Sequence, residues 1–207
     1  MTGAEIIQKF ELQVDDLTEL SSQDELDLLN KVYRKVLGGK AYECTKKTAS
    51  GSLSTSLPYV ALPSDFLFFV QNHNYTGRGE YAKGPFVLVG DNYSPYEIVS
   101  WSDRRQYRNN ANKAYLDIRN SRLYFTMQPS QALTYEFDYH ALPDLLTTGT
   151  SPIIPAHLHP LFVHLMATED FVLQLSDKAK SYAGENAAMA ASYQADLDLW
   201  NANLVQM

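Results

Sequence analysis

One cysteine, Cys44, stands in 207 residues, so no disulfide closes within the chain and no multi-cysteine metal site is available. Long apolar runs are also missing. Phe66–Val70 and Phe86–Val89 fall far short of the roughly 20 residues that span a bilayer. Thr2–Phe10 already carries Glu5 and Lys9, so no basic stretch leads into an apolar one, and the start reads as neither signal peptide nor membrane anchor. No GxSxG, HExxH or GKS/T pattern occurs. Gly77-x-Gly79, with Gly84 beyond, lacks the strand–glycine–helix setting of a dinucleotide site and reads as a flexible tip. Cationic residues are scarce at one end: residues 141–207 hold 7 acids and 2 bases in a chain of net charge -7. Such an end disfavours wrapping around nucleic acid, which needs a basic footprint. It suits a basic protein surface, or a wall past which DNA slides without sticking.

What is present is 45% hydrophobic residues, enough for one sizeable core, and 14 tyrosines, whose apolar bodies and polar tips suit sheets and interfaces. Thr2-x-x-Glu5 has the form of a capping box. Ile6, Phe10, Val14 and Leu17 follow at helical spacing and predict a first helix to about Glu19. Ser22-x-x-Glu25 repeats the capping pattern. Leu26, Leu29, Tyr33 and Val36 then mark a second helix that Gly38-Gly39 stops.

From Thr45 to Leu57 the Ser, Thr, Lys and Gly content shows no period and reads as a linker or mobile loop. Tyr59–Pro63, Phe66–Val70 and Phe86–Val89 read as short strands, and 72–83 as a polar loop. Trp101-Ser102-Asp103 is placed to open a short helix through Asn109. Tyr115–Ile118, Leu123–Met127 and Leu133–Tyr139 predict three successive antiparallel strands, a meander. In the last of these, Tyr135, Phe137 and Tyr139 alternate with Glu136, Asp138 and His140, giving one aromatic and one polar face.

After Pro143 the pattern returns to helix. Pro155 suits a first helical position, whereas Pro160 forces a kink or a start near His159. Gly184 interrupts before a last helix, in which Met189, Tyr193, Leu197, Trp200 and Leu204 form a narrow seam; Ala187, Ala188, Ala190 and Ala191 line its start. The fold class is therefore α+β: a helical bundle from N- and C-terminal helix pairs with an inserted antiparallel β-rich region. Its parts are 1–44 (N-terminal pair), 45–143 (linker plus β-rich insertion) and 144–207 (C-terminal helices).

Candidate chemistry is sparse. His157, His159 and His164 converge on a metal only if 157–159 is a loop, and their spacing matches no standard zinc site; the plain alternative is a helix start and a packed face. Arg104, Arg105 and Arg108, near Tyr107 and Lys113, form the only basic concentration, read as a salt-bridge patch or as a DNA contact. The Met189–Leu204 seam either packs inside the chain or meets a partner. Neither a catalytic nor a cofactor-binding residue is assigned, nor a metal ligand.

Three pieces carry a resemblance. They are the opening Thr2-Gly3-Ala4-Glu5-Ile6-Ile7 with a second helix ending near Leu37; Leu62-Pro63-Ser64-Asp65-Phe66; and Leu123-Tyr124-Phe125, Pro129, then Leu133 through Leu142-Pro143, followed by Ile154-Pro155 and a helix. In their order along most of the chain they resemble the head-to-tail adaptor (connector) proteins of tailed bacteriophages. The loop at 71–84 and the segment 103–113 have no counterpart in that resemblance. It implies a structural, non-enzymatic virion protein, made in the host cytoplasm and placed at the head–tail interface. A ring of about twelve copies beneath the portal would extend the DNA channel and dock the tail or nozzle protein. The implied partners are portal, tail, other copies of the chain, and packaged DNA passing without sequence-specific binding; no membrane is involved. Leu158, Phe162, Leu165, Met189, Tyr193, Leu197, Trp200 and Leu204 are the expected interface, with 85–140 turned to the tail or to neighbouring subunits. The alternatives are another tail-completion or receptor-binding virion module, or a metal-dependent enzyme built on the three histidines.

Overall fold

Thr2 and Glu5 do cap the first helix. In the computed structural model of the chain the Glu5 N–H donates to Thr2 Oγ1 at 3.3 Å and the Thr2 N–H to Glu5 Oε2 at 2.7 Å. The structure describes residues 1–15, 20–70, 73–75, 82–92, 94–108, 110, 112–126 and 128–205. It is mixed α+β, with six α-helices and an eight-stranded sheet. The chain divides into two units, 1–44 with 143–207 and 45–142.

In the helical unit, α1 (Gly3–Val14) buries Ile6, Ile7, Phe10 and Val14. It ends earlier than the periodicity implied, at Asp15, whose φ of 61° is left-handed; Leu17 lies outside the described residues. Two side chains close that end: Ser176 Oγ donates to the Val14 carbonyl at 2.7 Å, and Lys178 Nζ to the Leu12 carbonyl at 3.0 Å. A cation there also favours the helix dipole. The second helix, α2 (Ser22–Gly38), is capped one residue earlier than the sequence pattern implied, by Ser21 with Asp24. Buried Glu25 is thus left on the inner face.

Pro160 begins α3 (Pro160–Ala167), after a 3-10 turn at Ala156–Leu158 that absorbs Pro155. Two short helices follow, α4 (Asp170–Leu175) and α5 (Asp177–Ser181), and then α6 (Ala183–Val205). Gly184 lies inside α6 rather than ahead of it. One core joins α1, α2, α3 and α6 around Phe10, Leu29, Tyr33, Phe162, Met166 and Leu197, with Tyr33 edge-on to Phe162 at 5.5 Å.

In the β unit, the stretch expected to be a linker is a strand. β1 (Lys46–Leu53) pairs antiparallel with β10 (Leu133–Ala141) along its full length, from Lys46 opposite His140 to Leu53 opposite Leu133. It is an edge strand held by main-chain pairing, and Ser, Thr and Lys are residues an edge tolerates. Between them in chain order come β2 (Tyr59–Ala61), β3 (Phe66–Phe69), β4 (His73–Tyr75), β5 (Ala82–Gly84), β6 (Phe86–Val89), β7 (Ser94–Val99), β8 (Lys113–Asp117) and β9 (Arg122–Phe125).

The sheet runs β1-β10-β6-β7-β8-β9-β2, with β3 also on β10; β4 and β5 pair separately, and the 76–81 tip is outside the described residues. The β8–β9 hairpin is as expected, turning at Ser121 with φ 50°. The three-strand meander is not. β10 leaves β9 and inserts between β1 and β6, while β9 takes β2 on its other side. One pair, β7–β8, is parallel, so the insertion is not wholly antiparallel. The 101–109 helix is reduced to a 3-10 turn, Trp101–Arg105. Phe137 and Tyr139 face a core of Leu53, Phe69, Val87, Leu123 and Phe125.

Candidate functional site

The histidines do not make a metal centre. His157 is exposed on the 3-10 turn. His159 is buried, donating from Nε2 to the Ile154 carbonyl at 2.9 Å and accepting at Nδ1 from the Met1 amino group at 2.8 Å. Burial, helped by that ammonium, holds its pKa below the usual value. His164 bonds Asn186 Oδ1 at 3.0 Å and stacks on Tyr193. Among the described residues, no three His, Cys, Asp or Glu side chains gather closely enough to hold a metal ion. Cys44 is half-buried, and burial pushes its thiol up to about 11, far from a reactive thiolate.

The sequence elements behind the resemblance have structural work to do. Asp65 accepts from Lys47 Nζ at 2.7 Å and from the Tyr139 hydroxyl at 3.0 Å, and its backbone carbonyl accepts from the Leu142 N–H at 2.7 Å. One residue thus ties β1, the end of β10 and the Leu142-Pro143 exit. Burial acts to raise its pKa, but those hydrogen bonds outweigh it and the carboxyl lies below the ordinary range. The Ser/Thr/Gly loop caps α1, since the Gly3 N–H donates to Thr150 O at 2.8 Å and the Ala4 N–H to Thr148 O at 3.0 Å. The approach is close enough that a Cβ on Gly3 would sit 2.4 Å from Thr147 O. Asn30, which sequence reasoning passed over, pairs its whole amide with the Leu146 backbone at 2.7 and 3.0 Å.

The expected interface residues are placed unevenly. Leu158, Phe162 and Leu197 are fully buried in the helical core; Leu165, Tyr193 and Trp200 are half-buried against it. Met189 and Leu204 are exposed, at 40% and 37%. The inner row of α6 runs through Asn186, Ala190, Tyr193 and Leu197, so the seam is displaced at its start by one residue. A further feature of the helical unit is an open depression of about 560 Å³ lined by Val32, Val36, Leu165, Glu169 and Gln194. Its rim carries the Lys31–Glu169 pair at 2.5 Å. Nearby, Asp198 accepts from Lys40 and from Tyr42.

Of the three arginines, Arg104 is held against its own turn. The Arg104 guanidinium lies 4.0 Å over the Trp101 ring and donates to the Trp101 carbonyl, while Arg105 and Arg108 are exposed. Lys113 pairs with Glu97. Arg104 also begins a row that no linear motif shows. Trp101 meets Tyr115 edge-on at 5.5 Å, Tyr115 stacks on Tyr124 at 5.3 Å, Tyr124 meets Tyr59 at 5.1 Å, and Arg122 covers Tyr59 at 4.1 Å. Strand register brings these residues together, with Tyr59 opposite Tyr124 and Tyr124 opposite Tyr115.

The surfaces described are braced by side-chain and ring contacts, and in comparison with known proteins the family described as SU10 adaptor protein matches residues 1–206. The chain belongs to the SU10 adaptor protein family. No curated protein matches it. Membership is consistent with a phage head-to-tail adaptor, a structural component of the virion. Among the described residues of this adaptor-family chain, no helix is long and apolar enough to cross a membrane.

Proposed function

We propose that this protein is a head-to-tail adaptor that closes into a homo-oligomeric ring of about twelve copies beneath the portal. The ring extends the DNA channel and docks the tail or nozzle protein. The observation that carries the reading is the family match across residues 1–206. In this proposal 1–44 and 144–207 act as one helical bundle, and 45–143 as its insertion.

The 156–207 segment packs subunits and meets the portal. Met189 and Leu204 touch the partner, and Leu158, Phe162, Leu165, Tyr193, Leu197 and Trp200 hold that surface from behind. The 85–140 region faces the tail or neighbouring subunits, with Arg104, Arg105 and Arg108 in salt bridges. DNA passes without sequence-specific contact. Residues 1–44 with 143–207 hold 16 acids against 7 bases, and a wall of that sign repels phosphates. Mixing the protein with its phage's portal and imaging the product tests the reading. A ring stacked on the portal is expected; portal particles that stay bare refute it.

A further inference from the structure

The row Arg104–Trp101–Tyr115–Tyr124–Tyr59–Arg122 lies on the sheet face opposite the β core: residues 114, 123 and 125 point into that core, and 115 and 124 alternate with them. Trp101 is 45% exposed and the three tyrosines are partly so. Rings and guanidiniums are favourite materials for a nucleic-acid platform, but the geometry here argues otherwise. Base stacking needs free ring faces. Tyr115 and Tyr124 lie face to face with planes 2° apart, and Arg104 and Arg122 cover Trp101 and Tyr59. Arg104 gives one N–H to the Trp101 carbonyl and Arg122 one to the Tyr124 hydroxyl at 3.5 Å, which leaves further N–H groups on each guanidinium. Those are donors for carboxylates, held rigid by the stack.

The chain itself carries the complementary surface. Residues 45–142 hold 10 bases and 8 acids, against 7 and 16 in the remainder. On α6, Glu185, Met189, Asp196 and Leu199 fall on one outward stripe at steps of 4, 7 and 3 residues, all exposed, Leu199 at 61%. Among the described residues neither Glu185 nor Asp196 has an ion-pair partner. At 1.5 Å per residue, Glu185 to Leu199 covers about 20 Å. The ring centroids from Trp101 to Tyr59 are 5.5, 5.3 and 5.1 Å apart, with Arg104 lying over the ring at one end and Arg122 over the ring at the other, where it also donates to the Tyr124 hydroxyl at 3.5 Å.

We infer that this arginine-ended aromatic row is a docking surface for the acidic α6 stripe of a second copy of the chain. Arg104 and Arg122 take its carboxylates, and the ring edges take Met189 and Leu199. The contact joins two different surfaces, so it propagates head to tail, as a closed ring requires; to that extent it rests on the adaptor reading.

Cross-linking between separately tagged chains tests it without requiring a stable oligomer. Protein carrying Arg105→Cys is mixed with protein carrying Ser192→Cys, an exposed uncharged position on the same α6 stripe, and oxidised, with Gln8→Cys on α1 as the control partner. The expected result is a mixed dimer forming about tenfold faster than the control, an advantage lost on adding Arg104→Glu and Arg122→Glu to the first protein. It should return when the second protein also carries Glu185→Lys and Asp196→Lys. Equal rates for both pairs overturn the inference, and so does a rate advantage that survives charge reversal in a protein whose circular dichroism is unchanged. Binding of a labelled oligo-dT that depends on Arg104 and Arg122, without the cross-link, reassigns the row to single-stranded nucleic acid. Portal binding in a separate mixture is read independently: if it persists without the cross-link, only this inference fails, and if it is absent with the cross-link present, only the adaptor reading fails.

Discussion

Gly3 and Asp65 show how single residues set this fold. Replacing Gly3 by alanine drives a Cβ to 2.4 Å from the Thr147 carbonyl, which is backbone and cannot swing aside. The expected cost is about 1–3 kcal/mol, as for other forced overpacking; chemical denaturation of Gly3→Ala measures it, and an unchanged midpoint refutes the contact. Asp65 and Asp198 carry carboxyls below the ordinary 3.8, so the unfolded chain takes up their protons first. Their contribution is present above pH 3.8 and is lost as pH falls through the folded values. His159 acts with the same sign at higher pH. Its folded pKa lies below 6.5, so stability declines as pH drops below 6.5 and the unfolded imidazole charges. Thermal melts from pH 8 to pH 3 should fall in two stages. Asp65→Asn should flatten only the acid stage, and a single-stage profile in both proteins contradicts these assignments.

At the scale of elements, helices announced themselves and strand partners did not. Capping residues and apolar periodicity mark α1 and α2 because a helix is closed by neighbours in sequence. The β8–β9 hairpin was legible for the same reason. β1 was not, because its Ser/Thr/Lys composition reports an edge position rather than a missing strand, and its pairing with β10 is some 90 residues distant. The aromatic row was hidden likewise, since Tyr59, Trp101, Tyr115 and Tyr124 are assembled only by register. On α6 the apolar steps selected Met189, while small Ala190 and polar Asn186 occupy the inner row. Leu197→Ala should therefore cost about 2–5 kcal/mol, as for a fully buried leucine, and Met189→Ala under about 0.5 kcal/mol. Equal destabilisation of the two variants contradicts the assigned helix face.

At the scale of the whole molecule, the notable features are charge distribution and covered ring faces. The acidic residues gather in 1–44 and 143–207, whereas the β unit carries a slight cationic excess. A chain of this kind should not be retained on double-stranded DNA at physiological salt; retention that falls steeply with added salt would indicate a basic footprint the charge distribution does not contain. The sequence made the adaptor reading legible through the order of its pieces, and Asp65, Gly3 and the 144–151 loop give those pieces physical roles. The most direct test of the central claim is electron microscopy of particles made by the phage when its gene for this chain is disrupted. An adaptor predicts DNA-packaging heads and finished tails lying unjoined, rejoined when the purified protein is added. Normally joined particles in its absence would contradict that account.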